Sequence, residues 1–110
     1  MLTLYNTKAR MKMDKLHTKE VDTLFEAILS LKTVDECYKF FEDACTIKEL
    51  FEIAQRLKAA RMLTEGINYA IISKETGMST ATISRVNRCL EYGNGGYAMI
   101  LERLGKEDSK

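Results

Sequence analysis

The sequence of 110 residues contains no proline, one histidine and no long run of apolar residues. Strand-rich chains usually carry turn prolines and more β-branched residues, so the abundance of Leu, Lys, Glu, Met and Ala favours helices. No stretch reaches the length of about 18 apolar residues that a transmembrane helix needs. We therefore expect an all-α protein that stays in the cytoplasm.

The cysteines are also few, and they form no pattern that suggests a bridge or a metal site. Cys37, Cys45 and Cys89 are an odd number and contain no CxxC pair. A disulfide framework and a zinc site are therefore not expected, and we predict three buried thiols in a reducing compartment. The sequence also lacks a nucleophile–base pairing, a phosphate-binding glycine pattern and a metal-ligand cluster, so we do not expect an enzyme.

The formal net charge of +1 is unevenly distributed along the chain. Residues 1–19 carry a net charge of +4, residues 20–45 carry −5, residues 46–92 carry +2, and residues 93–110 are neutral. The acidic part therefore covers the first helical region, while the basic excess lies in the N-terminal arm and in the middle of the chain. This asymmetry is compatible with nucleic-acid binding but does not require it.

The apolar period divides the chain into three parts. Residues 1–16 show no helical period and are predicted to be a basic N-terminal arm, part of which is an extension if translation starts at Met11 or Met13. Residues 17–104 show helical spacing throughout and are predicted to form a single helical domain. Residues 105–110 are predicted to be a polar tail.

Short polar side chains mark where the helices of this domain should begin. Two threonines stand three residues before a glutamate, which is the spacing of a capping box. The predicted caps are Thr18, Thr33 with Glu36, Thr46 with Glu49, Asn68 and Ser79. The third helix should be long and end at Gly66, and a sixth helix is expected at about residues 97–104.

A helix-turn-helix unit is predicted at about residues 69–91. The pattern needs a buried apolar residue on the first helix and others on the second, and Ile72, Ile83 and Val86 stand at those places. Gly77 falls where the chain must adopt a left-handed backbone conformation, which glycine enters without a steric cost.

The second helix of this unit has an outer side that is unusual for a solvated helix, which more often shows Glu and Lys. If Ile83, Val86 and Leu90 face inward, short polar groups and two arginines face outward. Small side chains allow a helix to enter a major groove and contact base edges, and arginine contacts guanine or phosphate. The predicted DNA-binding set is Ser79, Thr80, Ala81, Thr82, Ser84, Arg85 and Arg88.

These motifs resemble a known family. TGMSTATISR, preceded by a helix containing AQRLKAARML, resembles the Trp-repressor superfamily. RMLTEG, STATISRVNRCLEYGN and SLKTVDECYKFFEDACT are similar to segments of its small YerC/YecD-type branch. The resemblance covers about residues 14–104. It implies a six-helix Trp-repressor-like fold in an intertwined homodimer, whose two helix-turn-helix units enter successive major grooves of double-stranded DNA.

The resemblance also implies a ligand pocket, because tryptophan-responsive members hold an amino-acid corepressor beside the helix that reads DNA. Thr46, Arg56 and Arg85 stand at positions that contact the corepressor in that family. Val86 replaces a glycine of the family, and Cys89 replaces a serine. Val86 reduces the room for an indole ring, and Cys89 is a weak partner for an ammonium group. These departures argue against tryptophan, so no cofactor is expected, while another effector at Thr46, Arg56, Arg85 and Cys89 is left open.

Two functional hypotheses follow. The first is a sequence-specific, double-stranded DNA-binding transcriptional regulator that acts as a homodimer, with residues 17–104 as its DNA-binding and dimerisation domain. The alternative is a dimeric helical interaction module that keeps the fold without binding DNA. The modest net charge of +2 on residues 46–92 favours the alternative.

Overall fold

The computed structural model describes residues 15–108, with side chains described as far as residue 105. The helices between Lys19 and Asp108 are α1 (Lys19–Leu29), α2 (Val34–Ala44), α3 (Ile47–Thr64), α4 (Tyr69–Thr76), α5 (Thr80–Tyr92) and α6 (Gly96–Asp108). No residue of the described part lies in a β-strand. The all-α prediction is therefore confirmed. The predicted N-terminal arm lies outside the described residues, apart from residues 15–16.

The first two helices begin at the predicted caps. The hydroxyl oxygen of Thr18 accepts a hydrogen bond from the amide of Val21 at 3.2 Å, and that of Thr33 accepts from the amide of Glu36 at 3.1 Å. The Glu36 carboxylate accepts in turn from the amide of Lys32 at 2.8 Å, one residue earlier than a standard capping box. Both helix starts thus satisfy amides that have no partner inside the helix.

Helix α3 spans 18 residues and ends as its sequence predicts. Gly66 has a φ angle of +80°, in the left-handed region. Its amide donates to the carbonyl oxygen of Leu63 at 3.0 Å, and the amide of Ile67 donates to that of Met62 at 3.1 Å. This pair of bonds is the Schellman motif, which satisfies the last carbonyls of a helix.

The chain divides after Ile47 into two compact units. In the first unit, which contains α1 and α2, no described side chain is fully buried. Several large apolar residues of this unit are exposed, among them Leu29 at 84% and Val34 at 72%. These helices are amphipathic, but their apolar sides are incompletely covered within one chain.

The second unit contains a small apolar core built from α3, α4 and α5. The buried residues are Ala59, Ala60, Ile72, Ile83 and Val86. Two adjacent alanines on α3 have short side chains, so neighbouring helices can approach its backbone closely. Burial of each branched side chain stabilises the unit by about 1.5–3 kcal/mol. The core thus fixes the inner sides of α4 and α5.

Two predictions were wrong in detail. Helix α6 continues beyond Leu104 to Asp108, so residues 105–108 of the predicted polar tail are helical. Lys and Glu are good helix formers, which explains why a polar sequence continues the helix. The cysteines are not buried: Cys37 and Cys45 are half-buried and Cys89 is exposed. Cys89 follows Arg88 on the outer side of α5, where the core does not reach.

Candidate nucleic-acid interface

The turn between α4 and α5 consists of Gly77, Met78 and Ser79. Gly77 ends α4 with φ +75° and ψ 4°, which lies in the left-handed region, and its amide donates to the carbonyl oxygen of Ser73 at 2.8 Å. No heavy atom lies within 4 Å of the place where a Cβ would stand. Glycine is therefore favoured here by its backbone conformation and not by lack of space.

Two hydroxyl groups of α4 bind the backbone of Met78. The hydroxyl of Ser73 donates to the Met78 carbonyl oxygen at 2.7 Å. The hydroxyl of Thr76 donates to the carbonyl oxygen of Ile72 at 2.7 Å and accepts from the Met78 amide at 3.1 Å. Thr76 is only 8% exposed, so these bonds lie at the edge of the core. In the sequence, these bonds are indicated only by two small hydroxyl residues near a turn.

Helix α5 begins at the predicted cap. The Ser79 hydroxyl oxygen accepts from the amide of Thr82 at 3.1 Å, and the two hydroxyl oxygens lie 3.0 Å apart. The side chain of Thr82 is half-buried. Ser79 and Thr82 therefore share one hydrogen-bonded group at the N-terminal end of the helix.

The inner and outer sides of α5 lie where the sequence predicts. Ile83 is buried, Val86 is 4% exposed and Leu90 is half-buried against the core. The residues of the predicted DNA-binding set, in contrast, are exposed or half-buried. The exposed members are Ser79, Thr80, Ala81, Arg85 and Arg88, and the half-buried members are Thr82 and Ser84. At the helical period, Thr80, Ala81, Ser84, Arg85 and Arg88 form one polar side of a helix whose other side is anchored in the core.

The groups on this outer side are largely uncommitted. Among residues 15–105, no hydrogen bond involves the hydroxyl of Thr80 or Ser84, and no carboxylate forms an ion pair with Arg85 or Arg88. The nearby carboxylate of Glu91 accepts a hydrogen bond from the side-chain amide of Asn87 at 3.3 Å. The two guanidinium groups are thus available for an anionic partner.

Each residue of the predicted ligand pocket is exposed in the described structure. Arg56, Arg85 and Cys89 are all exposed in the second unit. Thr46, also exposed, belongs to the first unit and stands directly before α3. Val86 is buried, as expected for an inward residue of the helix-turn-helix.

Tyr97 is a residue near this group that the sequence did not single out. Burial raises its pKa above the ordinary value of 10.0, the electrostatic interaction with Cys89 raises it further, and the Arg56 guanidinium lowers it. Tyr97 on α6 thus lies within electrostatic reach of Arg56 on α3 and Cys89 on α5. No signal in the sequence connects these three helices.

Among the described residues, no cluster of three or more His, Cys, Asp or Glu side chains is arranged to bind a metal ion. No helix of the described part combines the length and apolar character needed to cross a membrane.

Comparison with known proteins identifies the family. The family model described as Trp repressor protein matches residues 19–105. The chain belongs to the Trp repressor family. This is a family of regulators without enzymatic activity, in agreement with the expectation from the sequence. The predicted resemblance and the Trp-repressor-like fold are confirmed.

Individual relatives agree with this assignment to the Trp repressor family. The uncharacterized protein YerC of Bacillus subtilis (strain 168) is 57% identical over 100 residues, which cover 91% of this chain and 96% of that protein. A crystal structure of a TrpR-like protein from Eubacterium eligens ATCC 27750 is 58% identical, with a TM-score of 0.82, over 84% of this chain and 95% of its own. A Trp repressor candidate from Staphylococcus aureus is 49% identical, with a TM-score of 0.81, over 84% of this chain and 93% of its own.

Proposed function

We propose that the protein is a sequence-specific, double-stranded DNA-binding transcriptional regulator that acts as a homodimer through its helix-turn-helix. The observation that carries the proposal is the outer side of α5. Thr80, Ser84 and two arginines, none of which has a side-chain partner among the described residues, line one side of a helix. The inner side of this helix is anchored by Ile83 and Val86. Membership of the Trp repressor family supports the same reading.

The N-terminal end of α5 suits a duplex groove in shape and in charge. Thr80, Ala81 and Ser84 have short side chains, so bases can approach the helix backbone closely. The free amides and the macrodipole of the helix start favour a phosphate nearby. Arg85 and Arg88 extend farther and can reach a guanine edge or the phosphate backbone. Base selection is therefore assigned to the short side chains and Arg85, and backbone binding to Arg88.

Exposed apolar side chains support the homodimer. Leu29, Val34 and Ile47 in the first unit are exposed, Ile47 at 74%, and Phe51 in the second unit is 66% exposed. A second copy of the chain would remove such exposed apolar side chains from water. A two-fold dimer presents two copies of α5, which predicts an operator with two symmetric half-sites about one helical turn apart. Sedimentation equilibrium of the purified protein should give the mass of two chains, and a single-chain mass at micromolar concentration would refute the dimer.

We propose further that the regulator works in the cytoplasm and does not respond to tryptophan. Val86 is only 4% exposed and is part of the small core, and a closely packed core leaves little room for an added indole ring. Calorimetric titration with tryptophan should give no heat of binding. A saturable signal with a matching change in DNA affinity would refute this part of the proposal.

Selection from a random duplex library tests the proposed function directly. The dimeric protein should enrich a palindromic site, and gel mobility shifts should show that this site binds more tightly than a scrambled duplex of the same composition. Binding should weaken as salt rises, because phosphate contacts release counterions. Arg85→Ala combined with Arg88→Ala should abolish the shift. Lys39→Ala, which removes an exposed cation of α2, serves as the control and should leave it unchanged.

The alternative function is a helical interaction module that does not bind DNA. The modest charge of residues 46–92 still favours it. In that case the library would yield no enriched site, and genomic DNA would not be shifted even at low salt. This outcome would reject the regulator and leave the outer side of α5 as a surface for a protein partner.

A further inference from the structure

The turn that joins α4 to α5 is held by side chains as well as by its own backbone. The amide of Gly77 donates to the Ser73 carbonyl oxygen at 2.8 Å. The next residue, Met78, has its amide bound to the Thr76 hydroxyl and its carbonyl oxygen bound to the Ser73 hydroxyl. Both polar backbone groups of this one residue are therefore fixed by side chains of the preceding helix.

We propose that Ser73 and Thr76 are positioning residues that set the orientation of α5 for sequence-selective DNA binding. The inference rests on the proposed function, because it concerns how the same helix is presented to DNA. Both hydroxyls are already bonded to backbone atoms of α4 or of the turn, and Thr76 is buried, so neither is counted among the groups that contact a duplex. They act through Met78, which directly precedes the cap residue of α5.

Apolar packing and hydrogen bonds contribute differently to the position of α5. The contacts of Ile72, Ile83 and Val86 hold α4 and α5 together, but apolar packing has little angular preference. Hydrogen bonds lose strength steeply when their angle changes, so the two hydroxyls restrict the path of the chain at Met78. Ser79 follows Met78 directly, and its hydroxyl oxygen accepts a hydrogen bond from the amide of Thr82. A shift of the backbone at Met78 would therefore move the first turn of α5.

Selective and non-selective DNA binding depend differently on this geometry. Hydrogen bonds to base edges tolerate little displacement, whereas attraction to the phosphate backbone is long-ranged and does not read sequence. A small rotation of α5 should therefore weaken binding to the selected site and leave binding to scrambled DNA nearly unchanged. A residue with a merely structural role would lower both affinities or the folded fraction.

The test compares Thr76→Val, which removes the hydroxyl at nearly constant volume, with Ser73→Ala, Thr76→Ser and a control. The control Thr64→Val removes a hydroxyl that donates to the carbonyl oxygen of Arg61 at 2.7 Å, at the end of α3. Thr76→Val and Ser73→Ala should each lower the ratio of selected-site to scrambled-site affinity about tenfold, with unchanged helical content and an unchanged salt slope. Thr76→Ser should restore the ratio, and Thr64→Val should not change it.

Amide hydrogen exchange of the free protein provides a readout that does not need DNA. The Met78 amide should exchange faster in Thr76→Val than in the wild type or in Thr64→Val. If the wild type binds no DNA, the proposed function fails, and this arm alone decides whether the hydroxyls hold the turn. Unchanged exchange at Met78, an unchanged affinity ratio, or equal losses on both duplexes would overturn the inference. If Thr76→Val does not fold, Ser73→Ala, which removes the bond to the Met78 carbonyl oxygen, carries the comparison of affinities.

Discussion

The hydroxyl oxygens of Ser79 and Thr82 lie 3.0 Å apart at the first turn of α5. The Ser79 oxygen also accepts the amide of Thr82, so these two side chains are committed to each other. The hydroxyls of Thr80 and Ser84 have no such partner among the described residues. The predicted DNA-binding set thus contains a capping pair that shapes the helix end and other residues that are available to a duplex.

Ser79→Ala should destabilise the protein by about 1 kcal/mol, because the amide of Thr82 loses its acceptor at the helix start. Ser79→Asn should recover most of this loss, since asparagine is a good cap. Urea unfolding monitored by circular dichroism measures both changes. Ser84→Ala is the control, because Ser84 does not cap the helix. Equal stability of Ser79→Ala and the wild type would show that the capping bond contributes nothing.

Arg88→Ala should weaken DNA binding by a similar factor on all sequences and reduce the salt slope by about 1, as expected for a lost phosphate contact. Thr80→Ala should leave the salt slope unchanged but change the base preference at one position of each half-site. Repeated library selection with each variant separates the two effects. The assignment of roles is wrong if Arg88→Ala changes the preferred sequence while Thr80→Ala does not.

Gly77→Ala should cost about 1–2 kcal/mol of folding free energy, because alanine is strained at φ +75°. No clash adds to this, since nothing lies within 4 Å of the new Cβ. Gly66→Ala is a matched control with φ +80° and the same free space, outside the helix-turn-helix. Both variants should lose similar stability, but only Gly77→Ala should also lose sequence selectivity. Loss of selectivity by both variants would contradict a specific role of the turn.

The raised pKa of Tyr97 predicts that the stability of the protein depends on pH in the alkaline range. Burial is the main cause that raises its pKa above 10.0, the value expected in the unfolded chain. At a pH between 10.0 and the higher pKa of the folded state, the folded protein keeps the Tyr97 proton that the unfolded chain has lost. The free energy of unfolding therefore falls as pH rises above about 10. Tyr97→Phe should remove this fall.

Urea unfolding at a series of pH values measures the effect of Tyr97, and phenolate absorbance reports its titration. Arg56→Ala should move the titration to still higher pH, because the guanidinium lowers the pKa of Tyr97. A phenol that titrates at or below 10 in the folded protein would show that its burial has no electrostatic consequence.

Local chemistry made most of the fold predictable from the sequence. Thr18, Thr33, Asn68 and Ser79 each cap the helix that follows, as their positions predicted. Gly77 has the left-handed conformation that the helix-turn-helix spacing required. These features depend on neighbours within a few residues, so the sequence alone contains the necessary information.

Features that depend on contacts between helices could not be predicted in the same way. The hydroxyl bonds to Met78 depend on the angle at which the turn leaves α4. The electrostatic interactions of Tyr97 with Arg56 and Cys89 depend on how three helices pack together. The exposure of Cys89 also depends on packing, because its place next to Arg88 on the outer side of α5 keeps it away from the core. The DNA-binding role of the outer side of α5 remains a prediction.

The most direct test of the account is the mapping of backbone amide shifts when the labelled protein binds its selected duplex. The account predicts that the largest changes fall on residues 79–88 and that a scrambled duplex produces smaller changes there. Changes confined to α1, α2 or α6, with α5 unaffected by a duplex that binds tightly, would contradict the claim that the outer side of α5 reads DNA.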